Sequence, residues 1–190
     1  MQQTEIFSLS EHWEFELPRV RPAQPVDAAG IAHVHVRSWQ QAYRQIFSVE
    51  YLYGLEQTLP ERESWWLRSL EQRAQDTFVA SLAGEVIGWI SVGASRDDDN
   101  GAERIGEVMA IYILAEHWGH GVGKRLWQTG LQSLARQGYE AFTLWVLADN
   151  EQAIGFYRAA GMVEEPHSAR TLARGGVTVK EVRFRGVVTA

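Results

Sequence analysis

The sequence has no cysteine. Disulfides, thiolate metal ligands and cysteine nucleophiles are excluded, and any covalent catalysis would fall to Ser, Thr, Lys or a carboxylate. Long apolar runs are also missing, since none approaches the roughly 18 residues that a membrane-spanning helix needs. The first Lys or Arg is Arg19, and no apolar stretch of signal-peptide type is present at the N-terminus. A cytoplasmic protein without a membrane partner is expected. Positive charge is in deficit, with 18 Lys and Arg against 24 Asp and Glu for a net −6, which argues against nucleic acid as a partner. Proline is scarce, at five residues, and no linker, internal repeat or low-complexity tract divides the chain.

Apolar mass, by contrast, is plentiful: 45% of residues are hydrophobic and eight are Trp. A chain of this length and content can bury about 70% of its unfolded surface in one core. Residues 15 to 190 are accordingly expected to form a single domain. Residues 1 to 14, without a clear period, are expected as an N-terminal arm or an extra strand.

Ile31, Val34, Trp39, Ala42 and Ile46 recur at near-helical spacing over residues 26 to 46, with Asp27 placed to start the helix. A second helical region covers about 49 to 73, broken near Gly54 and Pro60. The period then becomes that of strands, over 77–83 and 85–92 around Gly84, and over 105–114 after a turn at 97–101, an antiparallel meander. Residues 121 to 137 carry a helical stripe stopped by Gly138. Residues 141–147 form an apolar run suited to a strand covered on both faces. Asp149 or Asn150 caps a helix running to Ala160, and two further strands flank Arg174-Gly175-Gly176. Strand, helix, strand and helix over 105–160 imply a right-handed crossover and locally parallel strands. The expected fold is α/β of the α+β kind, a three-layer domain whose mixed sheet has helices on both faces.

Gly119, Gly121 and Gly123 alternate between a strand and a helix. They let the backbone turn N–H groups outward at the positive end of the helix dipole, a site for a pyrophosphate, with Lys124 and Arg125 at the rim. A Walker loop would need Gly at 118 and a hydroxyl at 125, where Trp118 and Arg125 stand. A Rossmann fingerprint begun at Gly119 would need Gly in place of Lys124. Neither spacing fits, and a plain tight turn is the alternative.

The run Val108 to Leu114 followed by Trp118-Gly119-His120-Gly121-Val122-Gly123 resembles motif A of the GNAT superfamily of acyl-CoA-dependent N-acyltransferases. Leu144 to Asn150 followed by Phe156 to Met162 resembles its motif B, in matching order and separation. Trp118 departs from the Gln or Arg that usually opens the glycine pattern, while Gly121 and Gly123 match. The resemblance implies two splayed parallel strands in the central sheet and direct transfer of an acetyl group from acetyl-CoA, the cosubstrate, to a primary amine in a ternary complex. The acceptor would be a small molecule or a peptide. A non-catalytic acyl-CoA-binding module of the same fold is the alternative, and a homodimer stays open.

By the same resemblance, Ile111, Tyr112 and Ile113 meet the pantetheine arm, with Ile111 and Ile113 offering backbone groups. The pyrophosphate falls to Gly119, His120, Gly121, Val122, Gly123 and Lys124, and Asn150 bonds the cofactor. Tyr157 stands as general acid for the departing thiolate, with a packed aromatic as its alternative, and Glu107 as base, directly or through water, or else as a plain edge carboxylate, with Glu103 a lesser substitute. In a regular strand Glu107 shares the side of Met109, Ile111 and Ile113, unless a bulge intervenes. Trp39 and Tyr43, four apart, line an acceptor pocket or pack the core. No metal is expected: His33 and His35 face different ways on a helix, and His117 and His120 lack a carboxylate constellation. Asp97 to Asp99 read as a solvated acidic loop, their spacing being incomplete for calcium.

Overall fold

A computed structural model of the chain describes residues 17–98 and 104–188. The arm expected over residues 1 to 14 lies outside them. Eight strands, β1 (Arg19–Pro22), β2 (Asp76–Leu82), β3 (Glu85–Ala94), β4 (Ile105–Ile113), β5 (Ala141–Leu147), β6 (Val163–Glu164), β7 (Arg170–Arg174) and β8 (Val177–Val187), make one sheet. Its order is β1-β2-β3-β4-β5-β8-β6, with β7 also paired to β8. The described α-helices are α1 (Ala28–Ala42), α2 (Val49–Gly54), α3 (Leu59–Glu71), α4 (Val122–Arg136) and α5 (Glu151–Ala159).

Alternation along the central strands divides the interior in two. Phe78, Ile90, Val92 and Val108 face α4, where Leu126, Trp127 and Leu134 are buried against them. Their neighbours Val79 and Trp89 point the other way, onto Ile31 and Val34 of α1 and Trp66 of α3. A period of two requires that split, and each such buried side chain contributes about 1.5–3 kcal/mol. The approach of α4 is close, because a Cβ at Gly130 would lie 2.8 Å from Ile90 Cδ1. The first helix ends at Ala42 rather than Ile46, and the second helical region is interrupted where expected, α2 ending at Gly54 and α3 beginning at Leu59 with Pro60 in its first turn, where proline is tolerated.

Two irregularities of β4 interrupt the regular sheet. It pairs with β5 in parallel, but only from Ile105–Glu107 to Ala141–Thr143. Beyond that the strands diverge. On its other side Ala110 lies opposite Ser91 and Val108 opposite Val92, so Met109 is an inserted residue. The bulge resets the alternation. Glu107 therefore shares a face with Ala110 and Tyr112, not with Ile111 and Ile113 as a regular strand would have it.

Candidate active site

The divergence of β4 from β5 opens a cleft of about 590 Å³. Leu114 N–H bonds the Ile87 carbonyl at 3.0 Å. Polar groups alternate in direction along an antiparallel pair, so Tyr112 and Ala110 also bond toward β3, while the N–H and C=O of Ile111 and Ile113 face the cleft. The Ile113 carbonyl accepts there from Trp118 Nε1 at 2.9 Å and from Ser38 Oγ at 3.3 Å. Trp118 thus ties the glycine turn to the strand before it.

That turn forms one end of the cleft. Gly119 and Gly121 have φ of +74° and +78°, a left-handed conformation glycine adopts freely. Arg125 N–H bonds the Gly121 carbonyl at 3.1 Å, so the amides of Val122, Gly123 and Lys124 stand at the open, electropositive end of α4. Gly119, Gly121, Gly123 and Lys124 line the cleft, whereas the His120 and Val122 side chains do not. Val122 is buried in the core and His120 is exposed. Val122 can contribute only through its backbone.

Across the cleft, Asn150 caps α5 by accepting from Ala153 N–H at 3.1 Å and turns its amide nitrogen toward the Tyr43 hydroxyl, 3.4 Å away. About two turns further on, Tyr157 packs against Trp127, Phe156 and Phe184. It is 8% exposed and lines the cleft, and its hydroxyl has no hydrogen-bond partner among the described residues. Burial, and then the Tyr112 hydroxyl, push its pKa upward. Tyr157 is a phenol that keeps its proton.

Glu107 is 2% exposed. Arg96 donates to it three times, from the backbone N–H at 3.0 Å, from Nε at 3.0 Å and from Nη2 at 2.5 Å. The next residue corrects an expectation: Asp97 is not merely solvated, but accepts from Trp145 Nε1 at 3.0 Å and pairs with Arg183 at 3.2 Å. It ties the segment before β4 to β5 and β8. Asp98 is exposed, and Asp99 lies outside the described residues.

Trp39 and Tyr43 belong to the buried cluster of α1 and also wall the cleft. Trp39 Nε1 donates to the Tyr112 hydroxyl at 3.0 Å, and the Tyr112 ring stacks on His35 at 4.9 Å. The Tyr112 backbone serves the sheet, and its side chain, which also lines the cleft, faces α1. Burial first, then the charges of Arg62 and Arg174, lower the His35 pKa to about 3, so its ring is neutral. Arg96, Trp145, Arg174 and Glu181 also line the cleft. Of these, only Arg174 lay in a turn legible from sequence. Among the described residues no three His, Asp or Glu are grouped to hold a metal, and no helix is long and apolar enough to cross a membrane.

The profile of the Acetyltransferase (GNAT) family matches residues 37–162. The uncharacterized N-acetyltransferase YuaI of Bacillus subtilis is 35% identical over 88% of this chain and 89% of its own. The mycothiol acetyltransferase of Streptomyces coelicolor is 35% identical over 55% of this chain, which spans only 34% of that protein. Among solved structures, the PaiA N-acetyltransferase of Thermoplasma acidophilum, in complex with coenzyme A, superposes with a TM-score of 0.71 at 17% identity, covering 90% of this chain and 99% of its own. A putative acetyltransferase of Salmonella typhimurium with acetyl-CoA superposes with a TM-score of 0.67 at 16% identity, covering 92% and 95%. At those identities the likeness shows the fold.

Proposed function

Because the chain belongs to the GNAT acetyltransferase family, whose cosubstrate is acetyl-CoA, we propose that it transfers the acetyl group directly to a primary amine held in the β4–β5 cleft. The observation that carries the reading is the splay itself. It turns the main-chain groups of Ile111 and Ile113 toward a cleft that ends at the amides of Val122, Gly123 and Lys124. A pantetheine amide matches the first set and a pyrophosphate the second. Bound acetyl-CoA supplies an activated thioester.

The residues around it divide the remaining work. Ile111 and Ile113 align the arm, and the Asn150 amide nitrogen offers it a further donor. Gly123 keeps the floor open, since a Cβ there would already touch Ile113 Cδ1 at 3.4 Å. Tyr157, with its hydroxyl uncommitted and protonated, donates to sulfur as the C–S bond breaks. Glu107 takes the amine proton through a water, because its carboxylate is buried and already held by Arg96. That same grip favours a second reading, in which Glu107 only positions Arg96. Trp39, Tyr43 and Tyr112 wall the acceptor side.

Release of free coenzyme A across a panel of amines, with the product mass raised by one acetyl group, tests the reading. Coenzyme A binding without transfer to any amine would instead support a non-catalytic acyl-CoA module.

A further inference from the structure

Beyond β4 the cleft continues. A second cavity of about 950 Å³ lies between α3 and the sheet and shares Arg96, Met109 and Ala110 with the first. Three indoles, Trp65, Trp66 and Trp89, form much of its wall. Trp89 is 1% exposed, and its Nε1–H is a buried donor with no partner among the described residues. Left so, it costs free energy that a ligand acceptor would recover.

The charges of this cavity are uneven. Arg62 reaches it from α3, with Nε donating to Thr58 Oγ1 at 2.8 Å and Nη1 lying 3.5 Å from His35 Nε2. No carboxylate forms an ion pair with Arg62 among the described residues. Arg96 is already matched by Glu107, Arg68 stands at the exposed side of the wall, and Glu61, also exposed, is the one acid there. An available guanidinium beside neutral His35, at the end of an indole-lined space, is suited to an anion at the end of a flat apolar body.

We propose that this cavity receives the body of the acceptor, and that the acceptor is an amine with a planar apolar middle and an anionic far end. The anion meets Arg62, the ring lies among the indoles, and the amine passes the Arg96–Met109–Ala110 junction to the thioester. This assignment rests on acetyl transfer taking place in the β4–β5 cleft.

The test is binding rather than turnover. Protein loaded with coenzyme A, which cannot acetylate, is titrated calorimetrically with 4-(2-aminoethyl)benzoate, with the matching benzamide and with phenethylamine, while tryptophan emission reports the cavity. The benzoate should bind about 10-fold or more tightly than the benzamide, the scale of a charge-assisted hydrogen bond. Arg62→Gln should level the two, Arg62→Lys should restore part of the difference, and Trp65→Ala should weaken both alike. Equal affinity of the three amines, no binding of any, or an Arg62→Gln loss as large for the benzamide as for the benzoate overturns the proposal. If coenzyme A itself fails to raise the melting temperature, the transfer reading falls, and the same titration on the unloaded protein decides the cavity.

Discussion

Arg96 holds Glu107 by main chain and side chain at once, and the two residues are unequally placed: the acid is 2% exposed, the cation 63%. Removing the arginine strands a buried carboxylate, whereas removing the acid frees a cation that water already reaches. Arg96→Met should therefore lower stability more than Glu107→Gln, by about 1–3 kcal/mol, below the usual cost of splitting a fully buried pair because Arg96 is largely solvated. Urea denaturation checks the order. Kinetics on the same variants separate the two readings of Glu107. A base gives a loss of about 10²-fold in kcat for Glu107→Gln, with much of the activity kept in Arg96→Met. Equal losses in both variants assign it to positioning Arg96.

Gly123→Val should leave the fold intact and abolish the rise in melting temperature with acetyl-CoA. Its Cβ meets Ile113 and Phe156 only at contact distance, and its φ is ordinary. The bulk of valine, however, enters the cleft where the helix amides stand. Gly121→Val is a poorer probe, because φ of +78° adds about 1–2 kcal/mol of backbone strain for an L-residue. Thermal melts over a ligand series report both effects, since native-state binding stabilises by mass action.

Tyr157→Phe deletes a hydroxyl that leaves no partner orphaned, so the melting temperature should hold within a degree or two. Single-turnover rates at saturating acetyl-CoA and acceptor should fall about 10²-fold, the scale of acid–base assistance. A rate equal to wild type would return Tyr157 to the aromatic cluster around Trp127.

His35 gives the protein an acid-side dependence. Its folded pKa of about 3 lies below the ordinary value of about 6.5. Between those pH values the unfolded chain binds a proton that the folded one does not, so stability falls as pH drops. The slope from this one group approaches 1.4 kcal/mol per unit at most. His35→Gln should lose less stability between pH 7 and pH 4.5 than the parent does in the same buffers. Parallel curves would remove His35 from the account.

How much the sequence discloses depends on the range of the interactions. The crossover from β4 through α4 to β5 and α5 is written in local signals: the glycines before Val122, the cap at Asn150, the stop at Gly161 and the apolar run of β5. Cleft residues near those signals were legible with them. The Met109 bulge was not, because a register is settled by the partner strand and leaves no period in β4 itself. Nor were the Arg96 grip, the bond from Asp97 to Trp145 or the stacking of Tyr112 on His35, which join segments whose separation no pattern encodes. The spacing of Trp39 and Tyr43 does not choose between a pocket wall and the core, and in the structure both line the cleft while packing in the cluster of α1.

The inserted Met109 makes β4 a strand with two phases. Were the bulge ironed out, with Met109 paired as an ordinary strand residue, Glu107 would swing to the α4 side, where a Cβ at neighbouring Gly106 would already come within 2.9 Å of Leu134 Cδ2, and the carboxylate would be driven into hydrocarbon away from Arg96. With it in place, Ile111 and Ile113 pack toward α4 while Ala110 and Tyr112 turn to the other face with Glu107. A single strand thereby keeps an apolar edge for the core in one phase and aims its acid out of that core in the other.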